Sequence, residues 1–195
     1  MSYIILNKLL YAIYTPIQTM KIWLSGARIS SLVYACGSIS IRRQRESIIS
    51  IGHGCRFMSK EYGNRLGLNH KCMLTAERGA YLTIGDNCSF SGVTIWCFKF
   101  ITLGNNVRIG ANVTILDGDA HQDDPRAGLD APVSIEDNVW VGANTLILKG
   151  VCIGKNSLIG AGSVVTSNIP PNVVAAGNPC RVVKQLSEDA ISHLR

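Results

Sequence analysis

Between Ile115 and Ile135 the chain reads ILDGDAHQDDPRAGLDAPVSI, and this stretch sets one histidine, His121, among aspartates. A hydroxyl is a poor nucleophile at neutral pH, so its attack on an electrophile needs a base that removes the proton as the new bond forms. Imidazole suits that task because its ordinary pKa, about 6.5, lies near working pH. Asp119 or Asp117 is placed to hold the other ring nitrogen and fix the tautomer, as in a catalytic triad. A histidine in a polar loop is also an ordinary surface residue. Only the elements around it decide between the two.

Those elements are a repeat. From Ile84, Leu103, Ile109, Ile135, Val141, Ile147, Ile153 and Ile159, the residue three positions later is Asn87, Asn106, Asn112, Asn138, Asn144, Gly150, Asn156 or Gly162. Asn and Gly tolerate left-handed backbone, so the same tight turn is specified each time. One position further stand Cys88, Val107, Val113, Val139, Thr145, Val151, Ser157 and Ser163, all small or β-branched. The next aliphatic follows two residues on, on the same side of a short strand. Strand and turn alternate, and three such units close one coil of a parallel β-helix with the aliphatics inside. Twenty positions separate Ile115 from Ile135, two more than three units of six, so the chain leaves the lattice there and returns. The polar, Pro- and Gly-containing excursion belongs on the surface, where a rigid scaffold carries reactive groups.

The units IGDNCSF and LGNNVRIGANVTI, and the run from IEDNVWVGAN to AGNPCRVVKQL, resemble the hexapeptide-repeat acyltransferases, in particular the sugar O-acetyltransferases that act on maltose, galactosides, capsule and lipopolysaccharide. The resemblance is strong from about Leu82 to Leu186. It implies an all-β, left-handed parallel β-helix, usually a homotrimer, with acetyl-CoA in the groove between neighbouring subunits and a loop histidine, here His121, as base. It also implies that the backbone N–H of Ala143 contacts the thioester and that Ala161 binds the pantetheine arm, since larger side chains would fill the groove. Trp140 resembles the family's tryptophan near the acetyl end, while Thr166 and Arg181 match positions at the nucleotide end. Where the family often has a lysine, this chain has Ser167, so Lys184 is the candidate replacement phosphate contact. Acceptor selectivity is expected in residues 64–71 and 90–100, with Ser91 and Asp117 as candidate substrate contacts.

Composition narrows the rest. With 195 residues and 47% hydrophobic content the chain can bury one core. The expected organisation is an N-terminal amphipathic helical or irregular segment over 1–50, the β-helix over 51–168 with the loop at 117–134, and a C-terminal extension with a short helix over 169–195. Seven cysteines form no CxxC pair and lack zinc-finger spacing, so they read as small buried hydrophobes in a reducing compartment. His53, His70 and His193 read as surface or structural, and no metal is expected.

The net charge of +6, partly concentrated in Arg42-Arg43-Gln44-Arg45, reads as a solvated basic loop, and no nucleic-acid partner is expected. Asn7 and Lys8 interrupt the first apolar run, so no cleavable leader is read and a cytoplasmic location is expected. In the N-terminal tract Leu6, Leu10, Ile13, Ile17, Met20 and Leu24 share one helical face, and Pro16 should kink or restart the helix with Thr15 as cap. That face either packs on protein or rests weakly on a membrane surface with Lys8 and Lys21 toward the head groups. The function expected is acetyl transfer from acetyl-CoA to a sugar or glycan hydroxyl, with surface polysaccharide as the setting. The alternatives are acetylation of an antibiotic or other small alcohol, and a non-catalytic β-helical scaffold.

Overall fold

Six-residue units with a left-handed turn residue leave each strand only a few residues long, so the strands must stack into ladders across successive coils. The computed structural model describes residues 3–61, 64, 66–121 and 123–193, with α1 side chains from Lys8 onward, and shows three such ladders. The first face carries Arg28–Ile29, Ile48–Ile51, Tyr81–Ile84, Phe100–Leu103, Val133–Ile135 and Cys152–Ile153. Tyr34–Cys36, Arg56–Met58, Ser89–Ser91, Arg108–Ala111, Trp140–Val141, Leu158–Ile159 and Val173–Ala176 form the second. The third holds Ser40–Arg43, Met73–Ala76, Thr94–Cys97, Thr114–Leu116, Leu146–Ile147 and Val164–Val165. The chain visits the faces in turn and all these pairs are parallel, giving the left-handed parallel β-helix. Arg181–Gln185 then folds back antiparallel on Val173–Ala176.

All eight turn residues named from the repeat have positive φ, from 56° at Asn87 to 76° at Gly150. At the corner between the first and second faces, the asparagine side chains form a ladder. Asn106 donates to Asn138 at 3.1 Å, Asn138 to Asn156 at 3.0 Å and Asn156 to Asn172 at 2.7 Å. The aliphatics Ile109, Ile115, Ile135, Val141, Ile147, Ile153, Ile159 and Val165 are buried, as are the small residues after each turn. Where those small residues carry hydroxyls they find carbonyls. Thr145 donates to Gly142 at 2.8 Å and Ser163 to Gly160 at 2.6 Å, which satisfies the buried oxygens.

The strands start at Arg28, well upstream of the boundary expected at residue 51. Ile29, Ala35 and Ile41 keep the six-residue spacing, but Leu32 and Ser38 stand where Asn or Gly would mark the turn, so the signature is missing while the coil persists. Helix α1 (Tyr3–Leu24) lies across this end and continues through Pro16 without restarting. Its inward side is polar. Thr15 accepts from the Ala35 amide at 3.2 Å, Gln18 from Ile39 at 3.0 Å and Thr19 from Val33 at 3.0 Å, while Lys21 donates to the Ile39 carbonyl at 2.9 Å. A β-helix end presents unpaired amides, and these side chains satisfy them. Of the settings expected for the apolar face, packing on this chain's own coil is not seen: Ile13, Ile17, Met20 and Leu24 are exposed, and among the described large apolar side chains of α1 only Ile22 is fully buried. The Leu6 side chain lies outside the described residues. At the other terminus a short helix, α2 (Glu188–Ser192), is capped by Ser187, which accepts from the Ala190 amide.

Candidate active site

The loop bearing His121 leaves the third face at Leu116 and rejoins the first at Val133. Its root is Asp117, whose carboxylate is fully buried and accepts the backbone N–H groups of Phe98 at 2.6 Å, Lys99 at 2.9 Å and Phe100 at 2.6 Å. This corrects both expectations for Asp117. Its acceptor capacity is spent on the turn below, so it neither contacts substrate nor orients the histidine. Gly118 follows because a Cβ there would lie 2.3 Å from an Asp130 oxygen and 2.7 Å from the Phe98 ring.

Asp119 is corrected too. It pairs with Lys149 of the next coil at 2.5 Å, and the same ammonium donates to the Gly128 carbonyl at 3.0 Å. A full cation outcompetes a neutral imidazole for a carboxylate, so Asp119 clips the loop to the lattice. Beyond His121 the turn is closed by Asp124, whose amide donates to the His121 carbonyl at 3.1 Å. The Asp124 carboxylate accepts from Arg126 at its backbone amide and twice at its guanidinium, which holds it below the usual carboxylate range. Among the described residues no carboxylate is bonded to the His121 ring.

His121 is exposed and lines a cleft of about 410 Å³ with Trp96, Phe98, Leu116 and Arg126. Trp96 and Phe98 pack with ring centroids 4.8 Å apart, and the Trp96 indole donates to Glu77 at 2.7 Å, which fixes its plane. A wider cleft of about 730 Å³ beside it shares Trp96, Phe98 and Ala120. Sequence reasoning included these aromatics only as part of residues 90–100. Register was the available signal, since Trp96 pairs with Leu116, the residue from which the loop departs.

The other predicted site residues lie elsewhere on the coil. Ala143 and Ala161 stack at the corner between the second and third faces, with Ala111 below them and Ser91 paired to Ala111. At the corner between the first and second faces, the equivalent amides are capped by side chains of neighbouring coils. His53 donates to Asp86, Asp86 to Asn105, Asn105 to Asp137 and Lys155 to Glu136. Among the described residues no side chain caps Ala143 or Ala161, so this corner presents a column of free backbone donors. Gly142 and Gly160 keep it close-packed, because a Cβ at Gly142 would stand 2.5 Å from the Ala161 nitrogen.

Trp140 stands half exposed on the second face, away from the loop. Arg181 and Lys184 lie exposed on the antiparallel return strand at the top of that face, and Thr166 is exposed just after Val164–Val165. One chain therefore keeps His121 apart from the alanine column by the width of the third face. The cysteines are free and six are buried. Burial, with Asp117 beside it, pushes the Cys97 thiol up to about 12, so it stays protonated. No group of metal-ligating side chains occurs among the described residues.

Residues 132–167 match the family model "bacterial transferase hexapeptide (six repeats)", and residues 81–117 match "hexapeptide repeat of succinyl-transferase". The chain is 50% identical over 143 residues to the galactoside O-acetyltransferase of Lactococcus lactis, covering 71% of this chain and 63% of that one. It is 47% identical over 116 residues to the galactoside O-acetyltransferase of Escherichia coli K12, covering 56% and 57%. The chain thus spans less than two thirds of the length of these curated relatives. AntD, an N-acyltransferase from Bacillus cereus solved with dTDP and 3-hydroxybutyryl-CoA, has the same fold, with a TM-score of 0.66 at 17% identity over 89% of this chain and 90% of that one. Repeat, coil geometry and relatives agree: the chain belongs to the hexapeptide-repeat family of left-handed β-helices.

Proposed function

We propose that the protein transfers the acetyl group of acetyl-CoA to a hydroxyl of a sugar, in the cytoplasm and in the assembly of surface polysaccharide. The observation that carries this reading is the column of uncapped amides at Ala143 and Ala161, for which a scaffold has no use. Identity of 47% and 50% to galactoside O-acetyltransferases supports the sugar acceptor. The Ala161 amide holds the pantetheine arm, the Ala143 amide polarises the thioester carbonyl, and Trp140 covers the acetyl end. Thr166, Arg181 and Lys184 meet the nucleotide end, where cations suit phosphate. On this reading CoA recognition runs from the corner between the second and third faces along the second face to its upper edge.

The acceptor enters the cleft beside Trp96 and Phe98. The His121 imidazole removes the hydroxyl proton as oxygen attacks the thioester carbon, giving a tetrahedral oxyanion held by backbone N–H. Collapse breaks the carbon–sulfur bond, and the imidazolium returns the proton to the departing thiolate. Because one chain separates base from donor column, the working unit is a homotrimer in which the loop of one copy meets the groove of the next. Ser91, at the foot of the column, then faces the acceptor.

Release of CoA thiol is the test, with acetyl-CoA and a panel of free sugars, lipid-linked glycans and antibiotic alcohols. Turnover with a glycan supports the reading. Turnover confined to antibiotic alcohols moves the acceptor class, and no release with any acceptor leaves a scaffold.

A further inference from the structure

The first 45 residues contain Lys8, Lys21, Arg28, Arg42, Arg43 and Arg45 and no acidic residue, so they account for the whole formal net charge of +6. The fold gathers them at one end. Lys8 and Lys21 are on α1, and the arginines belong to the coil that α1 caps. Arg28, Arg42 and Arg45 are exposed, while Arg43 is bound to the Ser25 carbonyl. The first acid in the chain, Glu46, is paired with Arg78 at 3.2 Å.

On the outer side of α1 the exposed apolar residues form a continuous stripe, Leu9, Ile13, Ile17, Met20, Trp23 and Leu24, with exposures between 48% and 69%. Such a stripe in contact with water is unfavourable. It is not a consequence of loose packing, because the inward side of the same helix is committed to the edge amides through Thr15, Gln18 and Thr19. Among the described residues no helix is long and apolar enough to cross a membrane, and an apolar stripe beside a cluster of cations is the pattern of a helix lying in a bilayer interface.

We propose that α1 docks the protein on an anionic phospholipid surface, with the stripe from Leu9 to Leu24 in the interface and Lys8, Arg28, Arg42 and Arg45 on the lipid phosphates. A protein partner covering the stripe would need an acidic rim to match these cations. A second copy of this chain brings the same six positive charges to the contact and is disfavoured. The bilayer supplies both the apolar layer and the negative charge. Docking would hold the acceptor cleft near lipid-linked glycans, but it does not depend on the acetyl-transfer reading and fails or stands separately from it.

The experiment is co-sedimentation of the full chain with vesicles of phosphatidylcholine alone and of phosphatidylcholine with phosphatidylglycerol, at low and high salt. The chain is expected on the anionic vesicles only, and salt should release it. Ile17→Asn/Met20→Ser and Arg42→Gln/Arg45→Gln should each lower the partition coefficient about tenfold or more. Solution mass and turnover with a water-soluble acceptor should stay unchanged. The idea is overturned if the wild type stays in the supernatant, binds neutral and anionic vesicles equally, or binds undiminished in both variants. It is overturned too if the stripe variant changes the oligomer mass, since the stripe is then a contact between copies.

Discussion

Asp117→Ala should unfold the site from beneath. Its fully buried carboxylate accepts three backbone N–H groups at 2.6–2.9 Å, and these amides form the turn that carries Phe98 and follows Trp96. Hydrogen bonds to a charged group contribute about 1.5–3 kcal/mol each, and three sharing one carboxylate are not additive. Removing one side of a buried charged cluster typically costs about 3–5 kcal/mol. For a chain of this length each kilocalorie shifts Tm by about 2–4 °C, so the melting point should fall by roughly 6–20 °C. Asp117→Asn keeps one acceptor oxygen and turns an NH₂ toward the remaining amide, so its loss should be smaller, about 2–3 kcal/mol. Circular dichroism on heating and in urea reads both variants. If Asp117→Ala melts with the wild type, within about 0.5 kcal/mol, the three bonds do not hold this corner and the reassignment of Asp117 is refuted.

Lys149→Met should release the loop without unfolding the coil, because the Asp119–Lys149 pair is partly exposed; turnover is expected to fall several-fold while stability changes by about 1 kcal/mol or less on heating. Co-expressing His121→Ala chains with Ala143→Leu chains, each inactive alone, should restore activity at about one site in four if, as proposed, each site draws its loop and its groove from different copies. Equal inactivity of the mixture would place the site within one chain. Stability should also decline in alkali. The thiols of Cys97, Cys72, Cys36 and Cys180 are raised above their ordinary value of 9.0 chiefly by burial, Cys97 to about 12. The unfolded chain therefore ionises first, so their contribution is complete below about pH 9 and is lost as pH rises toward 12. Denaturant midpoints between pH 7 and 11 check this, and Cys97→Ala should flatten the slope.

The coil from Leu82 onward was legible because three constraints coincide at each unit: an aliphatic, a left-handed turn residue and a small residue. The coil from Arg28 to Ser47 was not, since Leu32 and Ser38 occupy turn positions and only the spacing of Ile29, Ala35 and Ile41 survives. The orientation of α1 was not legible, for a physical reason. Apolar periodicity places a helix face inward when the core is apolar, but the end of a β-helix offers amides, so Thr15 and Gln18 turned in and Ile17 and Met20 out. The break in the repeat singles out His121, and the structure shows it exposed in a loop beside a cleft. The roles of Asp117 and Asp119 were missed because their partners, the amides of 98–100 and Lys149, come from coils below and above. Sequence spacing within the loop carries no record of either.

Acetyl transfer as proposed depends on His121 as the base. A positioned general base contributes about 10²–10⁴-fold, so His121→Ala should lower kcat at least about a hundredfold on the true acceptor while the Kd for acetyl-CoA, measured by titration calorimetry, stays within about twofold. A His121→Ala enzyme that turns over at near wild-type kcat with saturating donor would contradict it.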